Sequence, residues 1–198
     1  MSLLLELLRE PTPDMLAIER HLDGLDHANR VREIRSLGRE PLSKLFEAAE
    51  GHRAIGLDDL VPSRLPDMTE VVHHGKNSLP AFSSFAKVFV RPGRADGQEL
   101  WGYNRSGGFV EAVVGPGYFV AYAHRVPGEV LVDYLRLPEH RPAHWPSILP
   151  NDARLSFFVY NGTQDVLRGV SRQVSIGRAS KAGKPMSAWF VLCREDTD

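Results

Sequence analysis

Cysteine is almost missing from this chain of 198 residues, since Cys193 is the only one. A single cysteine excludes a scaffold held by disulfides and a structural zinc site built on cysteines. An excess of one charge is also missing, because 24 basic side chains oppose 25 acidic ones. That balance argues against the strongly basic proteins that bind nucleic acid through overall charge. The 42% apolar content excludes a disordered chain.

Long hydrophobic runs are missing too. Residues 3–8 are rich in leucine, but Glu6 interrupts them and no positively charged segment precedes them. The run is far shorter than the ~20 residues that span a bilayer. We expect an amphipathic helix that packs on the domain or on a second copy of the chain, so the N-terminal helices are a candidate homo-oligomer contact. These features predict a cytoplasmic protein without membrane contact.

The chain also lacks the familiar catalytic motifs. It has no glycine-rich phosphate loop, no dinucleotide-binding glycine pattern, no nucleophile elbow and no pair of histidines at the spacing of a zinc protease. We therefore expect no cofactor and no metal. Cys193 follows Phe190, Val191 and Leu192, which is typical of a buried, unreactive thiol in a core strand.

What is present divides the chain near Pro66. Residues 1–66 show helical periodicity, with Pro13 and Asp14 preceding one apolar stripe and Gly38 following another. From residue 67 onward the apolar period changes to two. We therefore predict an N-terminal helical segment over 1–66 and an antiparallel β-rich domain over 67–198.

Turn signals punctuate the second part, including Pro92-Gly93 and Pro127-Gly128. Strands are predicted between them, and a C-terminal hairpin is predicted to turn at Ala182-Gly183. The strand segments are 70–73, 85–91, 98–103, 109–114, 118–125, 129–136, 173–179 and 186–194. The fold class is thus α+β, with a curved antiparallel sheet or partly closed barrel under an N-terminal helical cap.

One late helix is predicted around residues 152–170. Asn151 is a candidate N-cap, and Leu155, Val159 and Val166 fall on one helical face. The alternative is a strand over 155–160 followed by a turn at Asn161-Gly162, and the sequence leaves both open.

Three segments resemble segments of bacterial hypothetical proteins. They are residues 115–121 (GPGYFVA), residues 174–179 (VSIGRA) and residues 184–193. Arginine also outnumbers lysine 19 to 5 among the 24 basic residues, which is typical of a bacterial genome rich in G and C. The resemblance covers roughly residues 68–194. It carries no activity, so it implies no mechanism and no site residues.

The candidate site follows from strand register. A two-residue turn at Pro127-Gly128 places Tyr122 opposite Asp133 and makes alternate residues share one sheet face. That face is apolar apart from a few polar side chains, as in a small-molecule pocket. The candidate ligand-binding residues on it are Tyr118, Tyr122, His124 and Asp133.

Arg178 is a second candidate, because it is predicted to lie between Ile176 and Trp189 on the C-terminal hairpin. A guanidinium there needs an anion, which could be a ligand carboxylate or phosphate or simply Asp133. Residues 166–193 contain five basic side chains and no acidic one. A solvated basic face explains that stretch better than nucleic acid does, although an anion remains an alternative.

Three functions remain open from the sequence. The first is a small-molecule-binding module with a mostly apolar pocket inside the sheet, for an apolar or anionic ligand. The second is a cofactor-independent enzyme (isomerase, cyclase or hydrolase) in which Tyr122, His124 and Asp133 are the candidate catalytic residues. The third is an interaction or structural protein that self-associates through its N-terminal helices.

Overall fold

A computed structural model describes residues 2–79, 83–93, 97–105, 116–147 and 162–197. The helices are α1 Leu3–Arg9, α2 Met15–Asp23, α3 His27–Arg35, α4 Arg39–Ala48 and α5 Leu57–Leu60. The strands are β1 Val71–Asn77, β2 Ser84–Val90, β3 Glu99–Arg105, β4 Tyr118–Ala123, β5 Val130–Asp133, β6 Thr163–Gly169, β7 Val174–Lys181 and β8 Lys184–Arg194.

The eight strands form a closed antiparallel barrel in which each strand pairs with the next along the chain. The barrel closes because β8 also pairs with β1. In this pairing His73 lies opposite Arg194 at one end, and Asn77 lies opposite Phe190 at the other. The α+β class and the antiparallel sheet are therefore confirmed. The barrel is fully closed, whereas the sequence predicted a curved sheet or a partly closed barrel.

The barrel interior is filled by side chains from alternate positions of all the strands. Three interior glycines each lie directly opposite a phenylalanine on the neighbouring strand: Gly75 faces Phe85, Gly102 faces Phe119, and Gly177 faces Phe190. The rings occupy the space that a side chain would take, since a Cβ on Gly177 would lie 2.2 Å from the Phe190 ring. An eight-stranded barrel is just wide enough to be filled in this way.

The helices cover the outside of the barrel. The side-chain oxygens of Asp14 and Asp26 accept hydrogen bonds from backbone N–H groups and begin α2 and α3. Apolar faces of α1–α4 then pack on the outer side of β7 and β8, where Cys193 is fully buried. The predicted core position of Cys193 is confirmed, and burial raises the pKa of its thiol to about 11.

The leucine-rich N-terminus packs on the chain itself. Leu4 and Leu8 are buried in the core shared by the helices and strands β7 and β8. Leu3 and Leu16 remain exposed, at 45% and 65% of their surface. Self-association through these helices stays a prediction.

A second outer layer covers β2, β3 and β4. Trp145 packs against Tyr103 and Tyr118, with ring centroids 4.7 and 6.1 Å away. A loop that carries Trp145 over the barrel agrees with the spacing of Pro138, Pro142 and Pro146. Neither a helix nor a central strand accommodates prolines at that spacing. The outer face over β2, β3 and β4 is therefore also apolar and largely buried.

The predicted late helix is wrong over residues 163–169, which form strand β6. Thr163, Asp165, Leu167 and Gly169 alternate with less buried residues, so the period here is two. Residues 152–161 of that helix, the alternative strand over 155–160 and the predicted strand at 109–114 lie outside the described residues. Among the helices that the structure describes, none has the length and apolar character needed to cross a bilayer.

Candidate functional site

The β4–β5 hairpin has a different register from the predicted one. Tyr122 lies opposite Leu131, and Asp133 lies opposite Val120. The reason is a longer loop, closed by a hydrogen bond from the backbone N–H of His124 to the carbonyl of Glu129 at 2.9 Å. The shift is two residues, which leaves the alternation of faces unchanged. Tyr118, Tyr122, His124 and Asp133 therefore do share a face.

That shared face is the outer one. The residues that alternate with it, including Phe119, Ala121 and Val132, belong to the interior core. The four candidate residues consequently do not line the inside of the barrel, which corrects the predicted pocket geometry. Tyr118 is fully buried beneath Trp145, and its hydroxyl donates to the carbonyl of Pro146.

Tyr122 and Asp133 form a pair across adjacent strands. The Tyr122 hydroxyl donates to Oδ2 of Asp133 at 2.8 Å, and the backbone N–H of Leu135 donates to Oδ1 at 2.9 Å. Burial, followed by the Asp133 carboxylate, raises the pKa of Tyr122. Asp133 therefore makes the phenol a weaker acid, which does not help it to act in proton transfer.

His124 has a different partner. Its Nδ1 lies 2.8 Å from Oε2 of Glu129, and Oε1 of Glu129 accepts a hydrogen bond from Nε of Arg168 at 2.8 Å. Arg168 also donates to the carbonyl of Phe46 and lies over the Phe46 ring at 4.2 Å. The predicted Tyr/His/Asp set is thus two separate pairs: Tyr122 with Asp133, and His124 with Glu129.

Arg178 lies beside Trp189, as expected from the sequence. Its guanidinium is 5.3 Å from the centre of the indole ring, and Nη1 lies 3.7 Å from Oε1 of Glu47 on α4. The anion near Arg178 is therefore a glutamate of the helical segment and not Asp133. Two further basic residues of the 166–193 stretch are likewise paired with acids: Arg168 with Glu129, and Arg172 with Asp23.

A cleft of about 370 Å³ lies at the rim of the barrel, between the end of α4 and the β4–β5 hairpin. We call it the rim cleft. Apolar side chains and glycines form part of its wall, and four charged side chains complete it. The lining residues are Ala49, Glu50, Gly51, Arg53, Ala54, Val126, Pro127, Gly128, Glu129 and Arg168.

The rim cleft is held in place by the backbone. The N–H of Ile55 donates to the carbonyl of Gly128 at 3.0 Å, and Arg53 forms an isolated bridge with Gly169. Gly128 has a φ of +81°, and a Cβ there would lie 3.0 Å from that of Ala54. Only glycine suits this position without strain, because L side chains rarely adopt that φ.

A second polar group lies inside the barrel, and we call it the interior cluster: Lys87, Asn104, Tyr134 and Asp165. Nζ of Lys87 donates to Oδ1 of Asn104 at 3.0 Å and to the Tyr134 hydroxyl, and lies 3.3 Å from Oδ2 of Asp165. The Asn104 amide donates to the Tyr134 hydroxyl at 3.0 Å. Each member of the cluster is at most 5% exposed.

Burial sets the electrostatics of the interior cluster. Desolvation lowers the pKa of Lys87, and the nearby Asp165 carboxylate opposes that shift. Desolvation raises the pKa of Asp165, opposed by Lys87. Both shifts favour the neutral forms, which is typical of charged groups removed from water. Perturbed groups with a specific partner are candidates for function.

Sequence reasoning missed the interior cluster entirely. Lys87 and Asp165 are charged residues in strands, and such residues usually face solvent. A signal was present for Lys87, since it interrupts the apolar run Phe85–Ala86 and Val88–Phe89–Val90. A run that is apolar at consecutive positions indicates a strand covered on both faces, where a lysine has no solvent to reach.

The described parts of the chain contain no group of three or more His, Cys, Asp or Glu side chains able to hold a metal ion. His73 and His74 point to opposite sides of β1, as expected for adjacent residues of a strand: His73 packs on Phe89 inside, and His74 packs on His27 of α3.

Comparisons with known proteins add no further evidence about the site. No family model, curated protein or solved structure matches this chain.

Proposed function

We propose that this protein is a small-molecule-binding module that holds its ligand in the rim cleft. The observation that carries the proposal is the size of this cleft, about 370 Å³, together with its mixed lining. Sites for small molecules occupy roughly 300–1,000 Å³ and combine apolar walls with a few polar groups. The rim cleft fits both criteria with residues from three separate parts of the chain.

The lining indicates the class of ligand. Two arginines and two glutamates balance in charge: Arg53 and Arg168 against Glu50 and Glu129. Glu129 is already bound to His124 and Arg168, and the Arg168 side chain is only 14% exposed. A ligand with a zwitterionic or neutral polar head and a short apolar body suits this lining better than a strongly charged anion.

The location of the site differs from the expected pocket inside the sheet. Phenylalanine rings pack against the interior glycines, so that part of the barrel is occupied by the protein's own side chains. The rim cleft, by contrast, opens to solvent beside the exposed Val126. Of the predicted site residues, His124 supports the rim cleft indirectly, because it holds the Glu129 carboxylate at 2.8 Å.

A matched pair of tryptophan variants tests the proposal. Val126→Trp places an indole ring in the cleft wall, whereas Leu135→Trp places one at a residue that is 60% exposed and lies outside the cleft. L-phenylalanine serves as the zwitterionic probe and hexanoate as the anionic one. We expect L-phenylalanine to raise the Tm of the wild type and of Leu135→Trp, and to leave that of Val126→Trp unchanged.

Native mass spectrometry of the purified full chain provides a second measurement. A co-purifying small molecule that is retained by Leu135→Trp and lost from Val126→Trp would support the rim cleft. Hexanoate shifting the Tm more than L-phenylalanine would contradict the ligand class. Equal behaviour of the two variants in both measurements would contradict the site.

A further inference from the structure

Lys87 presents a primary amine inside an aromatic enclosure. Its Nζ lies 4.9–5.1 Å from the ring centres of Phe119, Tyr134 and Phe190, and 5.8 Å from that of Phe85. The residue is 2% exposed. Such rings stabilise a cation, and they also form the apolar surroundings that a small organic molecule prefers.

Asp165 places an acid beside this amine, 3.3 Å away. Burial lowers the pKa of Lys87 and raises that of Asp165, so the neutral amine and the carboxylic acid are more populated here than they would be in water. A neutral amine is a nucleophile, and a neighbouring acid can protonate a leaving hydroxyl group. Asn104 and Tyr134 fix the position of Nζ through hydrogen bonds.

We propose that Lys87 is a carbonyl-capturing residue that forms a Schiff base with a small apolar aldehyde or ketone. The site is separate from the rim cleft and does not depend on the function proposed there. The class of ligand follows from the enclosure, because the surrounding rings favour an uncharged, apolar carbonyl compound.

The chemistry requires no cofactor. The Nζ lone pair attacks the carbonyl carbon, and a proton moves from nitrogen to oxygen to give a carbinolamine. Asp165 then donates its proton to the hydroxyl group, which leaves as water as the C=N bond forms. The product is a protonated Schiff base, with the Asp165 carboxylate as its counter-ion and the four rings around its positive charge.

Phe85 provides the route to the amine. It precedes Lys87 by two residues in β2, faces the interior, and is therefore nearer to the end of the barrel where β2 begins. It is only half-buried, whereas Phe89, two residues beyond Lys87 along β2, is fully buried. The proposal therefore requires the Phe85 side chain to rotate so that a small carbonyl compound can reach the interior cluster from that end.

Reductive trapping tests the proposal on the intact protein. The folded chain is incubated with propanal and sodium cyanoborohydride at pH 6.5, and modification of each of the five lysines is then measured by peptide mass spectrometry. Lys44, Lys76, Lys181 and Lys184 serve as internal references. Each unit by which a pKa is lowered raises the neutral fraction about tenfold. We expect Lys87 to be modified faster than each of the reference lysines.

Variants separate this chemistry from simple unfolding. Asp165→Asn keeps the side-chain volume and removes the acid, so we expect slower trapping at Lys87. Phe85→Ala opens the route and is expected to speed trapping, whereas Phe89→Ala removes an equal volume from the far side and leaves the route closed. Modification of the reference lysines without Lys87 would overturn the proposal, as would faster trapping in Phe89→Ala than in Phe85→Ala.

Discussion

Two buried carboxylates of this barrel, Asp133 on the outer face and Asp165 in the interior, have almost the same exposure and contrasting surroundings. Asp133 is 4% exposed and accepts hydrogen bonds from a phenol and a backbone amide. Asp165 is 5% exposed and is paired with the side chain of Lys87. The comparison teaches that burial alone does not define a reactive group. Neutral donors hold Asp133 in a structural role, whereas desolvation raises the pKa of Asp165 and the nearby Lys87 only opposes that shift.

The largest expected effect comes from breaking the interior pair. Asp165→Ala leaves Lys87 buried without its counter-ion, and we expect a loss of about 3–5 kcal/mol in the free energy of unfolding. Urea unfolding measures it. The double variant Lys87→Met with Asp165→Leu removes both charges and is expected to recover most of the loss. If the double variant were no more stable than Asp165→Ala, the pair would not be the cause.

A smaller change in the free energy of unfolding is expected from the protonation of His73, which also lies in the interior. Burial lowers the pKa of His73 to about 3, while the unfolded chain takes up a proton near 6.5. Its contribution to stability is therefore complete above pH 6.5 and falls as the pH decreases toward 3. We expect a loss of about 2–3 kcal/mol between pH 7 and pH 4.5.

Two histidine variants sharpen the contrast between the faces. His73→Gln should flatten this pH dependence in urea unfolding, because the variant has no group to protonate at that position. His124→Gln changes a histidine of the outer face and should retain the dependence. A wild-type slope in His73→Gln would show that another group is responsible.

The smallest effect is expected on the outer face. Tyr122→Phe removes the hydroxyl that donates to Asp133 and leaves the ring in place. The carboxylate keeps its bond from the N–H of Leu135, so we expect a loss of only about 0.5–1.5 kcal/mol. Thermal and urea unfolding measure the change. A loss as large as that of Asp165→Ala would remove the distinction between the two carboxylates.

Local signals predicted much of the fold. Asp14 was correctly placed before a helix, and the strands that surround the Pro-Gly turns lie close to their predicted positions. The late helix failed over 163–169 because Val166, like Leu155 and Val159, was assigned to a helical stripe. In the barrel, the buried positions of that segment are Thr163, Asp165, Leu167 and Gly169, two of which are polar.

The side of the sheet that faces inward was not predictable by the same means. Alternation assigns Tyr122 and Asp133 to one face and Phe119 to the other, and the structure retains that division. Apolar side chains occur on both faces, because the helices cover part of β7 and β8 on the outside and Trp145 packs on Tyr103 and Tyr118. The polarity of the two faces therefore did not indicate which of them points into the barrel. The candidate residues were predicted to face the interior, but they face outward.

The closure of the barrel by β1 and β8 has a consequence for synthesis on the ribosome. These strands are separated by more than a hundred residues, so the second partner of β1 emerges after the other strands of the barrel. Until then β1 presents an unpaired edge, and α3 and α4 lack the β8 surface on which they pack. Such distant pairing slows folding and leaves a nascent chain open to association, which makes the final strand the step that commits the molecule to its native state.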